Sequence, residues 1–297
     1  MKLSYLLLDV FTTERLRGNP LAVVCKADGL LDDEMQAIAR EFNLSETVFL
    51  TKAHIERNTA NVRIFTPSVE LPFAGHPTVG AAVVLGLQHK LSAVRLEEKV
   101  GLITALVDRI DKRTGHARFG LPHLPEEAGR APERSSTARA LGLDPHDIGC
   151  GLFQPAVYTA GLIFYLVPVR NADTLRHIEP NMGMWRETFP LGHHSVYVYT
   201  ETPDEPDNDF AARMFSPGMG LGEDPATGSA AAALIGVLSR HTQLSSGQEE
   251  IVVRQGHEMG RPSRIELQLR KDGDVLTHGS IGGNVVVLGE GVLDLER

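Results

Sequence analysis

Two stretches of this 297-residue chain set a Gly/Pro-rich loop directly ahead of an apolar helix built from small residues. The first loop is Glu70-Leu71-Pro72-Phe73-Ala74-Gly75-His76-Pro77, with the helix predicted over 78–87. The second is Gly222-Glu223-Asp224-Pro225-Ala226-Thr227-Gly228-Ser229, with the helix predicted over 227–238. A helix N-terminus presents unpaired backbone N–H groups and the positive end of the helix dipole, and so suits a carboxylate or another anion. Two such ends facing each other across a domain cleft would hold a small anionic substrate from both sides. His76, Glu223, Asp224 and Ser229 are then the titratable or hydroxyl groups expected at the cleft. Thr78 and Thr227 read as N-caps of the two helices.

The elements that must position these groups repeat along the chain. Arg63-Ile64-Phe65-Thr66-Pro67 matches Arg213-Met214-Phe215-Ser216-Pro217, 150 residues later. Pro77-Thr78-Val79-Gly80-Ala81-Ala82 matches Ala226-Thr227-Gly228-Ser229-Ala230-Ala231 at an offset of 149. Each copy is a strand, a Pro turn, a loop and a helix that is apolar all round, which is the pattern of a buried helix. The expectation is two related domains, each a strand-rich sheet wrapped around one central helix, with the loop over 115–131 as the crossover. Short apolar runs at 3–10, 21–25 and 47–50 and the alternation over 61–65 predict strands in the first half. Runs at 162–169, 195–199, 251–254, 264–269 and 285–288 predict strands in the second. Between them Met35, Ile38, Ala39 and Phe42 form one helical stripe, with Asp32 as the expected N-cap and Asn43-Leu44-Ser45-Glu46 as the stop.

Composition narrows the function. The net charge of −9 disfavours nucleic acid and anionic membrane surfaces. The apolar runs are about half the length of a membrane span, and Asp9 interrupts the N-terminal run too early for a signal peptide. The two cysteines, Cys25 in a predicted strand and Cys150 in a Gly-flanked loop, form no CxxC pair, which argues against a disulfide framework or thiolate zinc site. A soluble, reduced, cytoplasmic protein is expected. His193-His194 reads as a polar turn, His257-Glu258-Met259 lacks the second His of a zinc-protease helix, and Glu249-Glu250 reads as a solvated strand start. No metal site is expected.

Taken together, three motifs resemble the signature of the PhzF family, the phenazine-biosynthesis-like branch of the diaminopimelate epimerase fold. They are Asn43-Leu44-Ser45-Glu46-Thr47-Val48-Phe49; Phe65-Thr66-Pro67 with Glu70-Leu71-Pro72-Phe73-Ala74-Gly75-His76-Pro77-Thr78; and Phe215-Ser216-Pro217 with Glu223-Asp224-Pro225-Ala226-Thr227-Gly228-Ser229-Ala230. Gly18-Asn19-Pro20, Gln255-Gly256, Gly260-Arg261-Pro262-Ser263 and Gly283-Asn284 add weaker support in the same order. The resemblance implies an α+β fold of two pseudo-symmetric domains, each a rolled, mostly antiparallel sheet around a central helix. The expected domains are 1–118, joined by a returning strand at 282–297, and 119–281. It also implies a cofactor-free isomerase, usually a homodimer, with its active site between the domains. The family's acid/base falls on Glu46, with Ser45 beside it; its substrate-holding residues fall on His76 and Asp224. Its anion-binding backbone groups fall on Gly75 and on Gly228 with Ser229.

The chemistry suits a proton shift, since one partly desolvated carboxylate can accept a proton from carbon and return it. Without the motif, Glu46 would read as a solvated carboxylate at a helix end, His76 as a loop histidine and Asp224 as a dipole partner. Inversion at carbon wants two groups on opposite faces, and the two loops carry Gly75-His76 and Asp224-Pro225-Ala226 in place of a cysteine pair. The leading expectation is an isomerase acting on a small carboxylate-bearing metabolite. The alternatives are a two-base epimerase with Asp224 opposite Glu46 and a non-catalytic binding protein. The stretch 171–209, expected to line part of the cleft, matches no phenazine-enzyme pattern.

Overall fold

The computed structural model of the chain describes residues 1–219, 221–241 and 246–295. The chain divides into two units: Met1–Pro122 with Arg261–Arg264 and Ile281–Arg297, and His123–Gly260 with Ile265–Ser280. The last two residues of the returning strand expected at 282–297 lie outside the described residues.

In the first unit β1 (Lys2–Val10) and β2 (Asn19–Val24) pair antiparallel. Helix α1 (Asp32–Phe42) then crosses to β3 (Glu46–Thr51), which runs parallel to β2 with Glu46 opposite Leu21. Strand β4 (Ala60–Phe65) returns antiparallel to β3, and the short β5 (Glu70–Leu71) hooks back onto it. Helix α2 (Gly75–His89) crosses to β6 (Ala93–Glu98), parallel to β4, and β7 (Gly101–Arg109) and β8 (Thr114–Gly120) follow antiparallel.

Local chemistry explains the helix ends. The acidic first turn of α1 suits the dipole, but Asp32 is its first helical residue and not the N-cap expected from sequence. The capping position is Leu31, whose N–H donates to Glu34 at 2.7 Å. Asn43 closes the helix in the left-handed conformation, which its short polar side chain tolerates. Helix α2 begins at Gly75, three residues before its expected start, so Thr78 lies inside the first turns and is no cap. Every residue of α2 from Gly75 to Gly86 is buried, and the helix packs on β1 to β4 and β6 to β8. A Cβ at Gly80 would stand 2.4 Å from Leu21, so the close approach of helix to strand needs glycine there.

The second unit repeats the plan with additions. Strand β9 (Glu126–Gly129) is followed by α3 (Arg134–Leu141), β10 (Ala156–Thr159), β11 (Ile163–Pro168), α4 (Ala172–Arg176), α5 (Met182–Thr188) and β12 (Val196–Glu201). Next come β13 (Phe210–Ser216), β14 (Leu221–Asp224), α6 (Gly228–His241) and β15 (Ser246–Gln255). Strands β9, β10 and β11 are antiparallel neighbours, β12 runs parallel to β11, β13 antiparallel to β12, and β15 parallel to β13. Helix α6 is buried from Gly228 to Ser239 and packs on β9, β10 and β11. A separate apolar cluster gathers Leu141, Leu175 and Trp185 of the smaller helices and Phe189, just past α5, with Tyr165, Val198 and Phe215 of the strands.

Strands β16 (Ser263–Asp272) and β17 (Val275–Asp294) end the chain, each with residues in both units. In the first unit β17 pairs antiparallel with β1, Val10 opposite Val285, and it also pairs with β8. The eight strands β1-β2-β3-β4-β6-β7-β8-β17 therefore close on themselves around α2. The segment 115–131 is not the loop expected from sequence, since β8 and β9 occupy most of it. Its inward positions include the small Gly115 and Ala117, which hid the alternation. A Cβ at Gly115 would stand 3.0 Å from Val83 of α2.

Candidate active site

In the first unit the turn after α1 delivers Glu46 as the first residue of β3, only 7% exposed. It is no solvated carboxylate at a helix end. Glu46 Oε2 stands 3.5 Å from Nε2 of His76, the second residue of α2, itself 3% exposed. Burial lowers the His76 pKa to about 3, so its ring is neutral near pH 7. On its other side Asn19 Nδ2 lies 3.4 Å from His76 Nδ1. With the amide donating, Nδ1 accepts and the ring proton sits on Nε2, toward Glu46. Gly75 and His76 are the first two helical residues, whose N–H groups have no intrahelical acceptor. Ser45 is half-buried beside Glu46.

Asn19 owes its place to contacts the motif reading treated as weak support. Gly18 has φ +63°, and a Cβ there would meet the Val10 carbonyl at 2.3 Å, so the turn requires glycine. Arg261 Nε donates to the Gly18 carbonyl at 2.7 Å, and its Nη2 pairs at 2.6 Å with Asp9, which is almost wholly buried. The Gly18 N–H donates to the Pro262 carbonyl at 3.1 Å. Gly18-Asn19-Pro20 and Arg261-Pro262, far apart in sequence, thus form one bracket around the residue that orients His76. Asp9 figured in the sequence only as an interruption of an apolar run; its structural role is to hold Arg261.

In the second unit Asp224 ends β14 and is 5% exposed. Its Oδ2 accepts from Thr227 Oγ1 at 2.5 Å. Thr227 immediately precedes α6, and its carbonyl accepts from the Ala231 N–H. Gln255, at the end of β15, clamps this corner: its Oε1 accepts from the Thr227 N–H at 3.1 Å and its Nε2 donates to the Asp224 carbonyl at 2.8 Å. Gly228 and Ser229 are the first two residues of α6, as Gly75 and His76 are of α2. The phenol of Tyr197 is buried near Asp224, and burial, with the Asp224 charge second, pushes its pKa well above the usual range. Nothing in the sequence marked Tyr197, and Gln255-Gly256 entered only as weaker motif support with no link to this corner.

Glu223 takes a different place from the one expected. It accepts two hydrogen bonds of 2.8 Å from Arg213, whose guanidinium lies 4.9 Å from the Phe215 ring centre. Glu70 does the same with Arg63, again at 2.8 Å twice, with Phe65 at 5.1 Å. The Arg-x-Phe repeat therefore encodes a structural Arg–Phe–Glu cage in each unit, with Glu223 as its carboxylate in the second.

Cys25 lies one residue past β2, outside the strand expected for it. Burial raises its pKa, and Gln88 Nε2 is 3.8 Å from its sulfur. It lines a surface pocket of about 920 Å³, with Tyr5 and His89, that contains none of the predicted site residues. Glu249 and Glu250 fall within β15, not at its start, and burial raises the pKa of the half-buried Glu249. Among the described residues no group of three His, Cys, Asp or Glu side chains is arranged to hold a metal ion, and no helix is long and apolar enough to cross a membrane.

The fold is α+β, and comparison with known proteins names its class. The family described as phenazine biosynthesis-like protein, PhzC-PhzF, matches residues 8–291. An uncharacterized isomerase of Mesorhizobium japonicum is 42% identical over 98% of both chains. The trans-2,3-dihydro-3-hydroxyanthranilate isomerase of Pseudomonas aeruginosa is 34% identical over 97% of this chain and 98% of its own. Among solved structures, a predicted epimerase of Pseudomonas aeruginosa shares 30% identity at a TM-score of 0.81, covering 99% of this chain and all of the other. A PhzF family protein of Bacillus anthracis has the same fold at a TM-score of 0.88 and 24% identity, covering 99% of this chain and 100% of its own. The chain belongs to the PhzF family and is an isomerase.

Proposed function

We propose that Glu46 is the acid/base of a proton shift on a small carboxylate-bearing metabolite, working without a cofactor. The observation that carries this reading is a carboxylate withdrawn from water beside a neutral imidazole. Withdrawal from water disfavours the charged form of a carboxylate and so strengthens it as a base toward a carbon-bound proton. In the forward step Glu46 takes a proton from one carbon and becomes the neutral acid, while the electron pair spreads into the substrate's conjugated system. A proton, by then exchanged with solvent, passes from Glu46 to another carbon and Glu46 is again a carboxylate. His76 donates from Nε2 and orients the substrate, with Asp224 doing so from the second unit. The N–H groups of Gly75 and His76 at the start of α2, and of Gly228 and Ser229 at the start of α6, are the groups that hold the substrate's anionic part. Ser45 lies beside the acid/base. The 34% identical relative makes trans-2,3-dihydro-3-hydroxyanthranilate the first probe. A homodimer in the cytoplasm with a biosynthetic role accords with this reading.

The test is deuterium uptake from solvent into that probe. Glu46→Gln keeps shape and hydrogen-bonding reach but carries no exchangeable acid, so exchange should fall by about 10²–10⁴ with little change in affinity. Exchange as fast as in the wild type would refute the role of Glu46. Exchange accompanied by inversion at the labelled carbon would favour the two-base epimerase, with Asp224 as the second base.

A further inference from the structure

Glu98, the last residue of β6, is buried, and none of the roles above uses it. Its Oε1 lies 2.8 Å from Thr78 Oγ1, and the same hydroxyl lies 2.8 Å from the carbonyl of Ala74, just ahead of α2. A threonine hydroxyl has one proton to give. Beside an ionised Glu98 it would face two acceptors. Glu98 Oε2, out of solvent and without a hydrogen-bond partner among the described residues, would then share a bare buried charge. A proton on Glu98 removes both difficulties: Oε1–H donates to Thr78, and Thr78 donates to Ala74.

The second unit holds an independent version of this corner. Ala60 faces Leu96 and Asn61 faces Glu97 in the parallel pair β4–β6; Phe210 faces Val253 and Ala211 faces Arg254 in the parallel pair β13–β15. The repeat sets residue 60 over 210, so Glu98 falls on Gln255, and Thr78 falls on Thr227. There Gln255 Nε2 donates to Thr227 Oγ1 at 3.2 Å, and the Thr227 hydroxyl donates in turn to Asp224. A neutral donor fills the position that Glu98 fills in the first unit.

We propose that Glu98 is held as the neutral acid at neutral pH and acts as a positioning residue, fixing through Thr78 the first turn of α2 with Gly75 and His76. This rests on the reading of that turn as part of the substrate site. Burial pushes the Glu98 carboxyl up to about 8, and the contact with Thr78 offsets only part of that rise. The titratable groups on the elements packed against β6 are His76 and His89 of α2, Arg63 of β4, and Asp108 and Arg109 of β7. Arg95, Glu97 and Lys99 flank Glu98 in its own segment. Burial and Thr78 set its proton affinity, not these charges.

Urea unfolding of wild type and Glu98→Gln across pH tests the protonation state without reference to activity. The unfolded glutamate releases its proton near 4.5 and the folded one near 8. The advantage of Glu98→Gln should therefore grow between those values and then level off. A difference that stays flat over that window overturns the proposal. Deuterium exchange on the probe then tests positioning. Glu98→Gln, which keeps a donor, should hold kcat within about three-fold of wild type and lack its decline above pH 8. Glu98→Leu and Thr78→Val, which break the chain of donors at either end, should each lower kcat about ten-fold or more with KM little changed. Thr78→Ser should behave as wild type. Unchanged kcat in both Glu98→Leu and Thr78→Val removes the positioning role. Wild-type exchange in Glu46→Gln would instead sink the catalytic reading and leave the pH–stability result standing.

Discussion

The two Arg–Phe–Glu cages are copies of one motif set in different surroundings, so their energies can be compared within one molecule. The side chain of Arg213 is only 9% exposed, and Nη1 also donates to the carbonyls of Leu175, Arg176 and Ile178 at 3.1 to 3.4 Å. Arg213→Met strands Glu223 in a largely buried site and leaves those three carbonyls short of a donor. Removing one partner of a buried pair costs about 3–5 kcal/mol. Arg63 is 20% exposed, and Glu70 keeps a second cation, Lys99 Nζ at 2.5 Å, when Arg63 is lost. The remaining partner of Arg63, Asp32, is exposed and worth little, so Arg63→Met should cost only about 1–2 kcal/mol. Urea unfolding should therefore place the Arg213→Met midpoint clearly below that of Arg63→Met. Arg213→Met with Glu223→Leu should recover most of the loss, because an apolar pair replaces a buried ion pair at little net change. Turnover of Glu223→Gln, corrected for the folded fraction, should stay within about three-fold of wild type. Equal costs at the two arginines, or a Glu223→Gln enzyme that is stable and inactive, would refute the cage and return Glu223 to the substrate.

Two further outcomes concern the His76 corner. Since burial depresses the His76 pKa from 6.5 to about 3, the unfolded chain gains a proton there that the folded chain refuses. Its contribution to stability is full above pH 6.5 and is lost as pH falls toward 3, so His76→Gln should flatten that segment of the unfolding-midpoint profile; parallel profiles would mean that the folded imidazole is charged. Arg261→Met leaves Asp9 buried without its cation and loosens the Gly18 turn, which should destabilise the protein by about 2–3 kcal/mol and lower kcat through Asn19. Destabilisation with unchanged kcat per folded molecule would show that the bracket does not orient His76.

The sequence by itself determined the repeat, the two buried helices and the pairing of a loop with each helix start. These follow from local spacing, and a helix apolar on every face has nowhere to go but a core. The Asn43–Phe49 motif was legible as a unit because its turn, its acid and its strand are contiguous. The strand over 115–120 was not, because a small residue facing a close helix leaves no alternating apolar pattern. Only the tertiary structure separated Glu223 from Asp224. They are adjacent in the chain, yet strand alternation sends one to Arg213 and the other to Thr227. It also joined Asp9, Gly18, Asn19 and Arg261 into the bracket behind His76, a contact across about 240 residues that no periodicity can announce. Burial decided the rest: His76, a loop histidine by its sequence alone, becomes neutral, and Glu98, which no motif marked, holds its proton, because the fold takes water away from them.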